Sequence, residues 1–203
     1  MNPSDLPVFS AIIVAGGKSS RLGGTPKASL SNGKHTLLES TLLAVEDACE
    51  RVVVGPADLP LPAQVSLTRE DPPFSGPAAA ITAGIRALGE GAEKDAADWV
   101  MVLAVDMPRS AELVGALRKA IANASAEVDG FFGVCGGVSQ PLAGIYRYEK
   151  LKETFNTDTS NRSVRKFLNT MNLQAVELPP GLTDDVDTWD SAHQSGFDAP
   201  QWS

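Results

Sequence analysis

Two strand-length runs, Phe9–Ala15, apolar but for Ser10, and Trp99–Val105, apolar throughout, most constrain how this chain can fold. A strand with one wet face alternates apolar and polar residues. An unbroken run is buried on both faces, which happens in parallel sheets covered by helices on either side. The remaining sequence supplies those helices. Leu38, Leu42, Val45 and Cys49 draw a stripe along a helix over Leu37–Cys49. Ser75-Gly76-Pro77 is a helix start, with proline at the first helical position, leading into Ala78–Leu88. Ser110–Ala122 is helical again, with Leu113, Leu117, Ala120 and Ile121 on one side. Arg51–Gly55 and Gln64–Thr68 read as strands between them. Beyond residue 130 the pattern loosens into strands at Gly130–Cys135 and Pro141–Tyr146 and a basic amphipathic helix near Arg162–Met171. The acidic segment Asp184–Asp190 follows. This βαβα order predicts an α/β fold with a mostly parallel sheet between two helical layers. Ligands in such sheets sit beyond the C-terminal strand ends, so the loops after Ala15 and Val105 hold the expected chemistry.

No internal repeat, low-complexity tract or linker interrupts the 203 residues, and a single domain over 1–203 is expected. A net charge of −8 argues against a general nucleic-acid or anionic-membrane binder, which needs basic surface. Cys49 and Cys135 stand 86 positions apart, which makes neither a disulfide framework nor a C-x-x-C metal motif. The first residues lack the basic-then-apolar profile of a secretory leader. Trp99–Val105 is too short to span a bilayer. Together these features predict a cytoplasmic protein.

The charge is unevenly spread. No acid occurs between Asp5 and Glu39, while Lys18, Arg21, Lys27 and Lys34 all do. Within that window lies Ala15-Gly16-Gly17-Lys18-Ser19-Ser20-Arg21-Leu22-Gly23-Gly24-Thr25-Pro26-Lys27. Glycines let backbone N–H groups close on an anion, and the cations suit a triphosphate. Gly17-Lys18-Ser19 matches the end of a P-loop, but Ile12 stands where its first glycine belongs. The dinucleotide fingerprint fails too, because Gly16 and Gly17 are adjacent. Asp106 falls where the second apolar run ends, and a carboxylate there can hold Mg²⁺. The alternative, that Asp106 caps the next helix, is weaker because Ser110 is better placed. His35 and His193 have no metal or triad context.

The segment Ala15–Lys27 resembles the signature loop of nucleotidyltransferases of the molybdenum cofactor guanylyltransferase type, with Leu22 where that family usually has Met. The resemblance implies a three-layer αβα fold with a Rossmann-like twisted sheet, of the nucleotide-diphospho-sugar-transferase type. By position, Ala15, Gly16, Gly17 and Ser19 would line the nucleotide, and Arg21 and Lys27 would hold its phosphates. Val105-Asp106-Met107-Pro108 matches the family's metal-binding strand end, so Mg²⁺ is the implied cofactor. Asp184-Asp185-Val186-Asp187-Thr188 resembles a late Asn/Asp-x-Asn/Asp-Thr-Pro segment, departing from it at Trp189, and makes Asp185 or Asp187 a second candidate ligand. Arg69–Pro77 resembles the base-reading loop. A carboxylate there accepts from guanine N1–H and its amine; Glu70 and Asp71 are the candidates, Asp71 preferred, with Gly76 beside them. Ser139–Ala143 matches a further family segment, giving Gln140 for the acceptor. Arg162 and Arg165 share a helical turn and either receive an acceptor phosphate or form a solvated face. The implied reaction transfers GMP from GTP to molybdenum-bearing molybdopterin, with other molybdenum-cofactor proteins as partners. The part to about residue 110 would bind the nucleotide and the remainder the acceptor. Alternatives are cytidylyl transfer, a sugar-phosphate acceptor, and a non-catalytic nucleotide-binding or delivery protein.

Overall fold

Burial on both faces is what the first apolar run achieves: residues Phe9–Val14 form strand β1, buried throughout. The computed structural model describes residues 7–90 and 97–200. Residues 1–6, which carry most of the segment read for a leader, lie outside them. β1 pairs in parallel with β2 (Arg51–Val54) on one side and β4 (Trp99–Ala104) on the other. With β3 (Ser66–Thr68), β5 (Gly130–Cys135), β6 (Val138–Arg147) and β7 (Leu173–Glu177), the sheet has the order β3-β2-β1-β4-β6-β5-β7. Only β6 runs against its neighbours β4 and β5.

Alternate residues of β1 feed two separate cores. Phe9, Ala11 and Ile13 pack with Leu38 and Leu42 of α1 (Leu37–Ala44) and Leu113, Leu117 and Ile121 of α3 (Ser110–Ile121). Ile12 and Val14 pack with Ile81 and Ile85 of α2 (Pro77–Glu90), Leu151 of α4 (Tyr148–Thr154) and Phe167 of α5 (Val164–Leu168). The three-layer arrangement expected from the sequence is therefore present. A smaller third cluster joins Leu22, Leu30 and Leu37 to Val186, Ala192 and Phe197 around α6 (Trp189–Gln194). It fastens the glycine-rich loop to the end of the described chain.

Several expected boundaries move. α1 stops at Ala44, not Cys49, because the Cys49 N–H donates to Phe9 O (2.9 Å) and the chain is drawn into the sheet early. The basic helix is confined to Val164–Leu168, and only single turns carry on to Met171. β6 starts at Val138, ahead of Pro141. Its ladder to β5 skips from Gly144 to Gln140, which leaves Pro141 where no β5 partner needs its missing N–H. Ser110 is not the cap of α3: it is the helix's first residue, and Arg109 precedes it with no side-chain cap.

Close helix–sheet approach is enforced at Gly84, where a Cβ would lie 2.6 Å from Ile12 Cγ2. Gly84→Val must push α2 off β1, and overpacking of this kind costs about 1–3 kcal/mol. Urea denaturation should show that loss as a lower midpoint with an unchanged slope.

Candidate active site

β1 and β4 lie at the point where the strand order reverses, since β2 follows on one side and β4 on the other. The crevice beyond their C-terminal ends is the binding position such sheets favour. Two backbone bonds fix its floor: Ala15 N–H donates to Val54 O (2.8 Å) and Val105 N–H to Val14 O (3.0 Å). The glycine-rich loop leaves here. Gly17 has φ +142 and Ser19 φ +43, so the loop turns through left-handed backbone that only glycine adopts freely. Its buried Leu22 anchors the short 3₁₀ turn Ser20–Leu22 into the third cluster, and a second turn, Lys27–Ser29, carries Lys27 back into the crevice.

Lys27 Nζ lies 2.6 Å from Asp106 Oδ2 and also bonds Asp187 Oδ1, while Arg21 reaches Asp187 Oδ2 at 3.1 Å. Burial pulls the Lys27 ammonium pKa down, but Asp106 and Asp187 outweigh it and leave the group above its usual value. The Lys27 hydrogen bond holds Asp187 below the usual carboxylate range. Asp185 is pushed up, first by partial burial and then by the negative charges of Asp187 and Asp106.

Asp187 owes its position to α6. Its N–H donates to Ser191 Oγ (3.1 Å), and Thr188 caps the helix through a reciprocal box with Ser191. Trp189, the departure from the family pattern, is the first helical residue after that cap. Proline is favoured there without being needed, so the substitution leaves the segment's path intact. Val186 N–H donates to Asp106 O (3.0 Å) and ties the two acidic segments together. Oxygens of Asp106, Asp185 and Asp187 all lie within 4.8 Å of one another. Three converging carboxylates fit a hard divalent cation, which takes oxygen ligands. Both Asp185 and Asp187, offered as alternatives by the sequence, belong to this group.

The cleft beside it, about 280 Å³, is lined by Gly16, Gly17, Lys18, Lys27, Glu70 and Gly76, among others. Glu70 is 7% exposed and its Oε1 accepts from Phe74 N–H at 2.9 Å. A Cβ on Gly16 would sit 3.8 Å from the same oxygen. Of the two candidates, Glu70 lines this cleft and Asp71, the one preferred from sequence, does not: Asp71 is exposed and lines a neighbouring hollow together with Glu70, Thr157 and Asp158.

Gln140, Arg162 and Arg165 come together as well. A hollow of about 590 Å³ is lined by all three, and it shares Gly76, Pro77 and Leu142 with the glycine-loop cleft. Arg165 donates to Ser139 O (2.9 Å), which fixes one of these guanidinium groups against β6. A third hollow, about 470 Å³, is lined by Asp106, Asp185 and Gln140. Asp106 thus lines both the glycine-loop cleft and the hollow that holds Gln140 and Asp185. Phe74, on the cleft wall, was missed by the sequence reading. Its signal was an aromatic residue inside the proline-rich stretch Pro72-Pro73-Phe74-Ser75.

Comparison with known proteins places the chain among relatives. A Mycobacterium ulcerans protein named as a probable molybdenum cofactor guanylyltransferase is 36% identical over 149 residues, 71% of this chain and 70% of the relative. The solved structure of molybdopterin-guanine dinucleotide biosynthesis protein A from Archaeoglobus fulgidus superimposes with a TM-score of 0.65 at 16% identity, covering 92% of this chain and 96% of that one. Rv0371c of Mycobacterium tuberculosis, solved as a complex with manganese, gives 0.67 at 12% identity, with 93% and 97% covered. These two structures share the fold. The family model described as the MobA-like NTP transferase domain matches residues 11–176, so the chain belongs to that family and is a nucleotidyltransferase.

Proposed function

We propose that this chain transfers GMP from GTP to molybdenum-bearing molybdopterin and releases pyrophosphate. The observation that carries the proposal is the Lys27–Asp106–Asp187 ion-pair cluster: Lys27 and Asp106 line the glycine-loop cleft, which adjoins, through Gly76, Pro77 and Leu142, the hollow lined by Arg162 and Arg165. The name of the 36%-identical relative supports the acceptor and the nucleotide. In this reading the part to about residue 110 binds GTP and the remainder the acceptor. The free Cys49 and Cys135 fit a reducing, cytoplasmic setting. No described helix is long and apolar enough to cross a membrane.

The acceptor's terminal phosphate oxygen attacks the α-phosphorus of GTP in line, and the bond from that phosphorus to the β-bridging oxygen breaks. A phosphate monoester with a second pKa near about 6 is largely dianionic at neutral pH, so no general base is needed. Catalysis then rests on positioning and on charge placed ahead of the reaction. Lys27 and Arg21 face the phosphates and offset the charge gathering on the departing pyrophosphate. Arg162 and Arg165 hold the acceptor's phosphate, and Gln140 lines its approach. Asp106, Asp185 and Asp187 would hold Mg²⁺, which when bound would supply Lewis-acid neutralisation of the phosphate charge. The manganese complex of Rv0371c supports a divalent ion in this fold.

Pyrophosphate release, measured with Mg²⁺ and molybdopterin acceptors, tests the reading. GTP should be turned over and CTP should not. Preference for CTP would move the assignment to cytidylyl transfer, and triphosphate binding without turnover would make the protein a carrier.

The base is read by Glu70, whose carboxylate accepts from both guanine N1–H and the exocyclic amine, a pairing that cytosine lacks. Glu70→Gln replaces one acceptor with an NH₂ aimed at those donors. A hydrogen bond to a charged group is worth about 1.5–3 kcal/mol. The GTP kcat/KM should accordingly fall on the order of 10- to 100-fold, while turnover of ITP, which lacks the amine, falls less. Equal losses for GTP and ITP would remove Glu70 from base reading.

A further inference from the structure

We propose that the Phe74 ring is the platform on which the nucleobase stacks, giving base affinity independent of the phosphate-binding cations. The inference rests on the reading of the cleft as the nucleotide site.

Phe74 is placed where the hydrophobic effect alone would not put it. It is 48% exposed, and it is the only aromatic among the large hydrophobic residues exposed to that degree in the described chain. Its backbone is left-handed, with φ +65, a conformation that a bulky L-residue adopts only when its surroundings hold it there. Those surroundings are visible. Phe74 N–H donates to Glu70 Oε1 (2.9 Å), the next residue, Ser75, is buried, and Ser75 O accepts from Asn161 N–H (2.7 Å). A loop held this firmly presents its ring at little further ordering cost when a ligand arrives.

The ring's electrostatics point the same way. Lys18 Nζ lies 5.7 Å from the ring centroid, and Arg69 Cζ 5.1 Å. Lys18 belongs to the wall of the glycine-loop cleft, and Arg69 to the wall of the neighbouring hollow. Phe74 itself lines the cleft, and its ring attracts both cations. A base whose edge meets Glu70 lies next to the residue that donates to Glu70, within reach of this ring. Every base has a π-face, so stacking here adds affinity without choosing the base, and the choice stays with Glu70.

Isothermal titration with Mg²⁺ tests this on wild type, Phe74→Ala and Phe74→Tyr, using GTP and inorganic tripolyphosphate as separate ligands. Stacking on an aromatic ring predicts that Phe74→Ala weakens GTP on the order of 10- to 100-fold and tripolyphosphate by less than about twofold. Phe74→Tyr, which keeps the ring, should bind GTP within about threefold of wild type. Unchanged GTP affinity in Phe74→Ala would overturn the proposal, and so would parallel losses for both ligands. Wild type that binds tripolyphosphate but not GTP would instead overturn the reading of the cleft, and the stacking role with it.

Discussion

Asp106→Ala should lower kcat for pyrophosphate release by roughly 10²–10³-fold, the scale on which a single electrostatic group of a transition state is lost. Asp106 lies two residues beyond the fully buried strand β4, and its carboxylate stands 2.6 Å from the Lys27 ammonium. It is also one of the three carboxylates that converge within 4.8 Å. The variant should still fold. The backbone of Asp106, not its side chain, accepts from Val186 N–H, so the link between the two acidic segments survives the truncation. Binding of Mn²⁺, followed by its EPR signal, should weaken alongside activity. Turnover within about threefold of wild type would exclude Asp106 from the reaction.

Lys27→Ala should have an effect of the same size for a different reason. Removing an ammonium pinned between Asp106 and Asp187 takes away a cation of the cleft wall and leaves Asp106, Asp185 and Asp187 facing one another with only Arg21, paired with Asp187, to offset them. The expected loss is roughly 10²–10³-fold in kcat, with a weaker tripolyphosphate affinity. Lys27→Arg keeps the charge but spreads it over a planar fork, and should recover only part of the rate. The pH dependence separates charge from shape. Because its carboxylate neighbours keep the Lys27 pKa above its ordinary value, wild-type activity should not fall with Lys27 deprotonation until pH passes beyond the normal lysine range. Rates in Lys27→Ala equal to wild type would place the phosphate-binding charge elsewhere in the loop.

Much of the architecture can be read from residue order because its central strands are buried on both faces. β1 and β4 end within one residue of the expected limits, since nearly every side chain buried there is apolar, Ser10 being the exception. The edge was harder. β7 is exposed along most of its length and carries no apolar run, and α4 is only seven residues long; neither was expected. The site shows the same division. Arg21, Lys27 and Asp106 follow local motifs, and a glycine-rich loop or a strand end can be recognised from its neighbours alone. Glu70 against Asp71 is a matter of which way one side chain points, which depends on where β3 releases the chain. That Asp187 and Lys27 meet depends on contacts 160 residues apart. No spacing rule spans such a distance; the small cluster of Leu22, Leu30 and Val186 brings the segments together.

That cluster also governs when the protein becomes competent. The sheet can close from neighbouring strands, but the Lys27–Asp187 bond waits for the segment that follows β7, and closing so long a loop is an entropic burden. A chain emerging from the ribosome holds a nearly complete sheet before it holds a charge-balanced site. The late segment joins through six buried side chains, far fewer than either face of the sheet, and so sits at the less stable end of the molecule's opening equilibria. Hydrogen exchange at Val186 and α6 should therefore outpace exchange in β1 and β4. The finished enzyme can lose its acidic cluster to a local fluctuation and regain it without unfolding.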